Sequence, residues 1–350
     1  MESTASALTE APRLPPELLY HVLDQLVSTN DGREPVAFEP SNDITKTLRA
    51  LTIVSRSTYS IASKYLYSRC IYLHNLTNYA RFRRTLELDL QYHPEALEPG
   101  QFARNDQLFA EANILQHISS LFVSPTRTNN DSKGATLVRL QQITDVCQTI
   151  GGNLKRLALD FHPVHVPRKD YLLLNLNNRN SSIFVKMLKL EELIISYHVL
   201  HYFQYPPPNL KRLAVTAQEL SEVMDFMRPV SSLETLIFLR PTNLSSSNID
   251  TIFSTYHGKQ LDVVLVDVNS NHRTPKRTRS WATDDCVKIW EADVPTSFYG
   301  DEDDLVLCDN HIWTHGVSGD LWKNGWRRMA SWAEIERRLA GPVHTVLVGT

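Results

Sequence analysis

The sequence predicts an α+β chain whose larger part is an α/β solenoid. Three observations lead there. Apolar residues in roughly the first 70 positions follow helical spacing. From Ile118 onward, a short apolar-x-x-apolar-x-apolar segment recurs six times. Helical patterns lie between several of these segments, so strands alternate with helices. A chain of 350 residues suggests one small module followed by one large one.

The N-terminal elements come first. Residues 1–13 are small and polar and read as a disordered tail. Pro15 and Pro16 favour a helix start. Leu18, Val22 and Leu26 then fall at i, i+4 and i+8, and Leu19, Leu23 and Val27 repeat the spacing one residue on, which gives a wide apolar face. Residues 28–42 carry Gly32, Pro35, Pro40 and mixed charge, so they read as a surface loop. Asn42 or Asp43 caps a second helix carrying Ile44, Leu48, Leu51 and Val54. A third helix, about residues 57–68, carries Ile61, Ala62, Tyr65 and Leu66.

The repeated segments are Ile118, Leu121, Val123; Leu154, Leu157, Leu159; Leu190, Leu193, Ile195; Leu210, Leu213, Val215; Leu233, Leu236, Phe238; and Leu261, Val264, Val266. Their middle residues, Leu121, Leu157, Leu193, Leu213, Leu236 and Val264, are expected on equivalent inward positions of one sheet. Successive intervals of 36, 36, 20, 23 and 28 residues bracket the period of leucine-rich repeats, with insertions. Helices are expected at Leu137, Leu140, Val146 and Ile150, at Leu220, Val223, Met224 and Met227, and at Ile249, Ile252, Phe253 and Tyr256. No such unit buries its apolar face alone, and stacking into a horseshoe does so.

Beyond the repeats, residues 269–282 are polar and basic and read as a surface loop. Val287, Ile289 and Trp290 suggest a short helix. Ser331 with Glu334 forms a capping box for a helix over 331–339 that stops at Gly341, and Val343 to Val348 fit a strand. Together these make a C-terminal cap closing the open end of the solenoid. Trp313, Trp322, Trp326 and Trp332 supply the large side chains such a cap needs.

Chemistry-bearing residues give little. His162/His165 and His198/His201 have His-x-x-His spacing. Yet His162 and His198 stand three positions after the last strand residue, where Gln218, Pro241 and Asn269 stand in later repeats. They read as turn residues rather than metal ligands. Cys308 and His311 lack a second pair. Asp301 to Asp304 lack the spacing of a calcium loop and read as solvated. Arg273, Lys276, Arg277 and Arg279 fit a nuclear-import or phosphate-contact signal less well than a plain surface loop. No glycine-rich phosphate loop, nucleophile elbow or nucleophile–base pair stands out. No cofactor, metal or catalytic residue is therefore expected.

The 36 basic and 39 acidic residues leave a net charge of −3, which points to neither nucleic acid nor a membrane surface. Cys70, Cys147, Cys286 and Cys308 are scattered, as reduced thiols are. The N-terminus has no signal-peptide pattern, and no apolar run reaches membrane-helix length. The expectation is a soluble, intracellular protein, cytoplasmic and/or nuclear.

One stretch resembles a known family. Leu14-Pro15-Pro16-Glu17-Leu18-Leu19, Val22-Leu23, Leu26, Leu51 and Val54-Ser55-Arg56 follow the order of an F-box. Ala62 to Tyr67 is similar to the version common in filamentous-fungal F-box-like proteins. The loop at 28–46 is longer than usual for the family. The resemblance divides the chain into a tail (1–13), an F-box (14–68), a leucine-rich-repeat-like substrate-binding domain (69–268) and a basic loop with cap (269–350). It implies a non-catalytic, substrate-recognition adaptor of an SCF-type ubiquitin ligase, bound to the Skp adaptor and through it to a cullin-RING scaffold. Implied adaptor contacts are Leu14, Pro15, Leu18, Leu19, Val22, Leu26, Leu51, Val54, Ser55 and Arg56. Leu23, Leu48 and Ile61 are expected in the module's own core. A protein-interaction scaffold working outside a ligase is the alternative. Turnover by the purified chain would point instead to an enzyme.

Overall fold

A computed structural model of the chain describes residues 15–28, 34–86, 113–125, 140–161, 182–241, 246–268, 285–296, 302–323 and 327–328. The chain begins with α1 (Pro16–Val27), α2 (Asp43–Leu51) and α3 (Arg56–Arg69). Prolines open α1, where a missing N–H costs nothing. Asn42 caps α2 by accepting the Ile44 N–H at 2.9 Å. Ser55 and Thr58 cap α3 reciprocally, side chain to backbone in each direction. Leu23, Val27, Leu48 and Ile61 form the core of this module. The helices adjoin the next unit directly: α3 packs on α5 (Ile114–His117) and β2 (Ser120–Val123). Ser120 Oγ donates to the Ser68 carbonyl at 2.7 Å.

The rest is built on one open sheet. Its strands lie in sequence order: β1 (Tyr72–Leu73), β2, β3 (Arg156–Leu159), β4 (Glu192–Ser196), β5 (Arg212–Thr216), β6 (Thr235–Leu239), β7 (Leu261–Val268), β8 (Val287–Val294) and β9 (Arg327–Arg328). Strands β1 to β8 are parallel, and β9 joins antiparallel. Helices α4 (Leu76–Thr85), α6 (Leu140–Ile150), α7 (Tyr197–Tyr202), α8 (Leu220–Met227) and α9 (Ser246–Thr255) lie between the strands in sequence. Sequential parallel strands with intervening helices are compatible with a solenoid-like α/β fold.

The register aligns Leu121, Leu157, Leu193, Leu213 and Leu236 in one row, all facing the helices. The sixth member of that row is Val263, not Val264. Side chains alternate along a strand, so the one-residue slip puts Val264 on the opposite face. That opposite face is also apolar. Phe122, Ala158, Ile194, Ala214, Ile237 and Val264 line it, all buried.

What buries it is a helix that periodicity did not reveal, α10 (Asp304–Ser318). It lies against β5 to β8. Cys308, Ile312, Trp313 and Val317 are its buried apolar contacts. A Cβ built on Gly316 would come within 2.7 Å of Ile194 Cδ1, so α10 approaches β4 at its glycine. Gly319 ends the helix with φ +82°, a left-handed conformation that glycine adopts without strain. Among the described residues, the C-terminal region extends the end of the sheet with β8 and β9 and adds a layer that the cap expectation did not include. It closes the sheet's second face, because a parallel sheet with two apolar faces requires two covering layers.

Four further expectations are corrected. Val287, Ile289 and Trp290 form a strand, β8, not a helix, because β7 beside it offers a backbone ladder along the full strand. Asp303 and Asp304 are exposed as expected but are not loop: Asp303 caps α10 by accepting the Leu305 N–H at 2.8 Å, and Asp304 begins that helix. Residues 35–37 are not surface loop: Val36 and Ala37 are buried in the same core as α10. His198 is within α7 rather than in a turn. Gln218 lies in the connection between β5 and α8 and donates to the Arg240 carbonyl at the end of β6 at 3.2 Å. The expected helix at 331–339, the strand at 343–348 and the basic loop at 269–282 lie outside the described residues. So do Leu137, Trp326 and Trp332.

Candidate functional site

The N-terminal module carries the apolar surface that a partner would need. On α1 one stripe is turned inward, with Leu23 and Val27 buried and Leu19 and Leu26 packed against that core. A second stripe faces outward. Leu18 is 50% exposed and Val22 is 58% exposed, at i and i+4 on the same helical face. Pro15, just before the helix, is also exposed. The turn between α2 and α3 adds Ile53 and Val54, the latter 66% exposed. Of the eight large apolar side chains exposed among the described residues, four belong to this module. An apolar surface concentrated in so short a segment is the kind that protein partners cover.

The residues implied by the resemblance divide accordingly. Pro15, Leu18, Val22, Val54, Ser55 and Arg56 are exposed. Leu19, Leu26 and Leu51 are partly buried against Leu23, Leu48 and Ile61, which are themselves buried. Ser55 has a local task as the N-cap of α3. Leu14 lies outside the described residues.

Charged side chains fix the module to the sheet. Arg69 at the end of α3 and Arg156 at the start of β3 both pair with Glu34. Burial, and then the neighbouring Arg156, push the Arg69 guanidinium down to about 10, which leaves it charged at neutral pH. Glu192 pairs with Arg212 one strand along. On the helix side, Arg240 and Glu291 form a buried pair at 3.1 Å, with Asp267 at 3.8 Å from the same guanidinium. The pairs tie the segment before α2 to α3 and β3, and link β4 to β5 and the end of β6 to β8.

Among the described residues, cavities open on both sides of the sheet. A cleft of about 830 Å³ lies on the helix side, between the Pro206-Pro207-Pro208 segment and α8. A smaller one, about 350 Å³, lies where Phe38, Tyr72, Phe122 and Trp313 meet. No protein-family model, no curated protein and no solved structure matches the chain.

The histidine pairs are only half described. His198 and His201 have ring centroids 6.5 Å apart on α7, and His201 Nε2 is 3.7 Å from Glu222. His162 and His165 lie outside the described residues. Cys308 is buried, which pushes its thiol up to about 12. Among the described residues no three His, Cys, Asp or Glu side chains gather as a metal site requires. Also among them, no helix is long and apolar enough to cross a membrane.

Sequence reasoning missed α10 and the second covered face. The signal was present. The strands read Leu-Ala-Leu, Leu-Ile-Ile, Leu-Ala-Val and Leu-Ile-Phe, near-continuous apolar runs rather than alternation, and such runs denote burial on both faces.

Proposed function

We propose that the chain is a substrate-receptor subunit of an SCF-type ubiquitin ligase. Its N-terminal module binds a Skp-type adaptor, and its repeat-like domain holds a protein substrate. The single observation that carries this reading is the outward apolar stripe of Pro15, Leu18 and Val22, with Val54, on a module whose own core is already filled by Leu23, Leu48 and Ile61. The F-box-like order of residues 14–68 gives that stripe its partner. No catalytic step is needed from this chain. Binding a substrate beside a ubiquitin-charged enzyme raises the effective concentration of the reacting groups.

The test changes Pro15 and Leu18 together to Ala and measures co-purification with the Skp adaptor and cullin. Interface hot spots typically cost about 2 kcal/mol each, so the double variant should bind at least about 100-fold more weakly. Its circular dichroism should match the wild type, because neither side chain is in the core. Wild-type levels of adaptor in the double variant would overturn the reading. Absence of adaptor and cullin from the wild-type chain would favour a scaffold that works outside a ligase.

A further inference from the structure

The helix-side cleft is a second surface with the shape of a binding site, separate from the N-terminal stripe. With α10 across the sheet's second face, the strand surface most open to a ligand in a bare strand–helix stack is already occupied by Ile312, Trp313 and Val317. The cleft is different. At about 830 Å³ it falls within the range of ligand-binding pockets. Leu200, Phe226 and Val230, all nearly fully buried, form its floor. One wall is the Pro206-Pro207-Pro208 run, whose fixed φ angles keep it stiff and whose nitrogens donate nothing. Leu188 stands at the rim, 62% exposed, ready to cover an apolar guest.

The other wall is α8, and it carries acid. Glu222 and Asp225 both line the cleft. Tyr197 donates to Glu222 Oε1 at 3.2 Å, but Glu222 Oε2 is buried with no hydrogen-bond partner. His201 Nε2 stands 3.7 Å from it, too far for a hydrogen bond. Asp225 pairs with Arg228 at 2.8 Å, and both side chains are exposed, so the pair is worth little and leaves Asp225 open to exchange its partner. The Glu222 side chain is about one-third exposed, so a cationic donor from a guest could reach it and pair with it.

We infer that this cleft binds an extended segment of a partner protein that carries a bulky apolar side chain next to an arginine or lysine. The apolar side chain would rest on Leu200, Phe226 and Val230 under Leu188, and the cation would reach Glu222 and Asp225. The inference deepens the receptor reading by naming a substrate class, and its biological meaning rests on that reading.

The test is a positional peptide library on the full-length protein. One set fixes Leu, Phe or Trp beside Arg, and the matched set places Glu where Arg stood. The Arg set should be retained about 10-fold better, as for other charge-complementary contacts. The double change Glu222→Gln with Asp225→Asn should remove that preference, and Leu188→Ala should weaken both sets. Thermal melting of each variant identifies those that remain folded. Equal retention of the two sets, or an Arg preference that survives in the folded Glu222→Gln/Asp225→Asn variant, would overturn the inference. The two readings fail separately. A chain that binds adaptor but shows no Arg preference sinks only the cleft. A chain that selects the Arg peptides but never binds adaptor sinks only the ligase role.

Discussion

The backbone N–H of Val36 donates to the carbonyl of Val317 at 2.8 Å, which ties the segment between α1 and α2 to the last turn of α10. The segment at Val36 and Ala37 and the helix α10 therefore share one core. Trp313 is central to it, 2% exposed and edge-on to Phe122 with centroids 6.3 Å apart. Changing Trp313 to Ala should cost about 3–5 kcal/mol. Urea unfolding gives the number, and binding of an apolar dye should rise as the sheet's second face opens. A loss under about 1 kcal/mol would mean that α10 does not hold that face.

The two-sided burial of the sheet has its own test. Val263 and Val264 are neighbours that point to opposite faces, and both are fully buried. Changing either to Lys should therefore be severely destabilising, because a charge is buried without a partner. In a strand with one wet face, only one of the two would matter. Leu213→Ala, on the helix side, should cost about 2–5 kcal/mol by the same unfolding measurement.

Within the N-terminal module, stability and binding should separate. Leu23 is fully buried and Leu18, five residues earlier, is half exposed. Leu23→Ala should lower stability by about 2–5 kcal/mol. Leu18→Ala should change it by less than about 0.5 kcal/mol, as exposed positions usually do. Adaptor binding should follow the reverse order when both variants are compared below the melting temperature of the weaker one.

His311 gives the protein a stability that depends on pH. Burial, and then the adjacent His315, push its imidazole down to about 4 in the folded chain. In the unfolded chain it titrates near 6.5. Between those values only the unfolded state takes up the proton, so stability is complete above pH 6.5 and declines as pH falls toward 4. The melting temperature should drop between pH 7 and pH 5. In His311→Gln, part of that drop should disappear. An unchanged pH slope in the variant would place the titrating group elsewhere.

The buried Arg240–Glu291 pair should behave asymmetrically. Glu291→Gln leaves a buried guanidinium short of one charge partner and should cost about 3–5 kcal/mol, less whatever Asp267 restores. Replacing Arg240 and Glu291 together by Met should cost less than the single change, because no unpaired charge remains. Chemical denaturation of the single and double variants makes the comparison.

Much of this architecture can be read without coordinates. Local spacing located α1 to α3, α6 and α8, and five of the six strand markers fall in one register row. The candidate adaptor face was half legible: Leu18 and Leu19 have the same chemistry and adjacent positions, and only packing separates the exposed one from the one turned inward. The cleft was not legible, because Leu188, Pro207 and Phe226 come from three different segments of the chain.

What the sequence determined by itself was the grammar of the chain: helix period, strand period, a cap at Asn42, and the order of the units. Those features depend on residues a few positions apart, whose preferences act before any tertiary contact forms. What only the tertiary structure decided was the partner of each apolar face. Val264 rather than Val263 belongs to the second face. Val36 and Ala37 are core rather than loop. The 304–318 segment, weakly patterned as a helix, covers a sheet built from strands far away in sequence. Each of these turns on a long-range contact, and a hydrophobic side chain carries no local record of which distant surface will bury it.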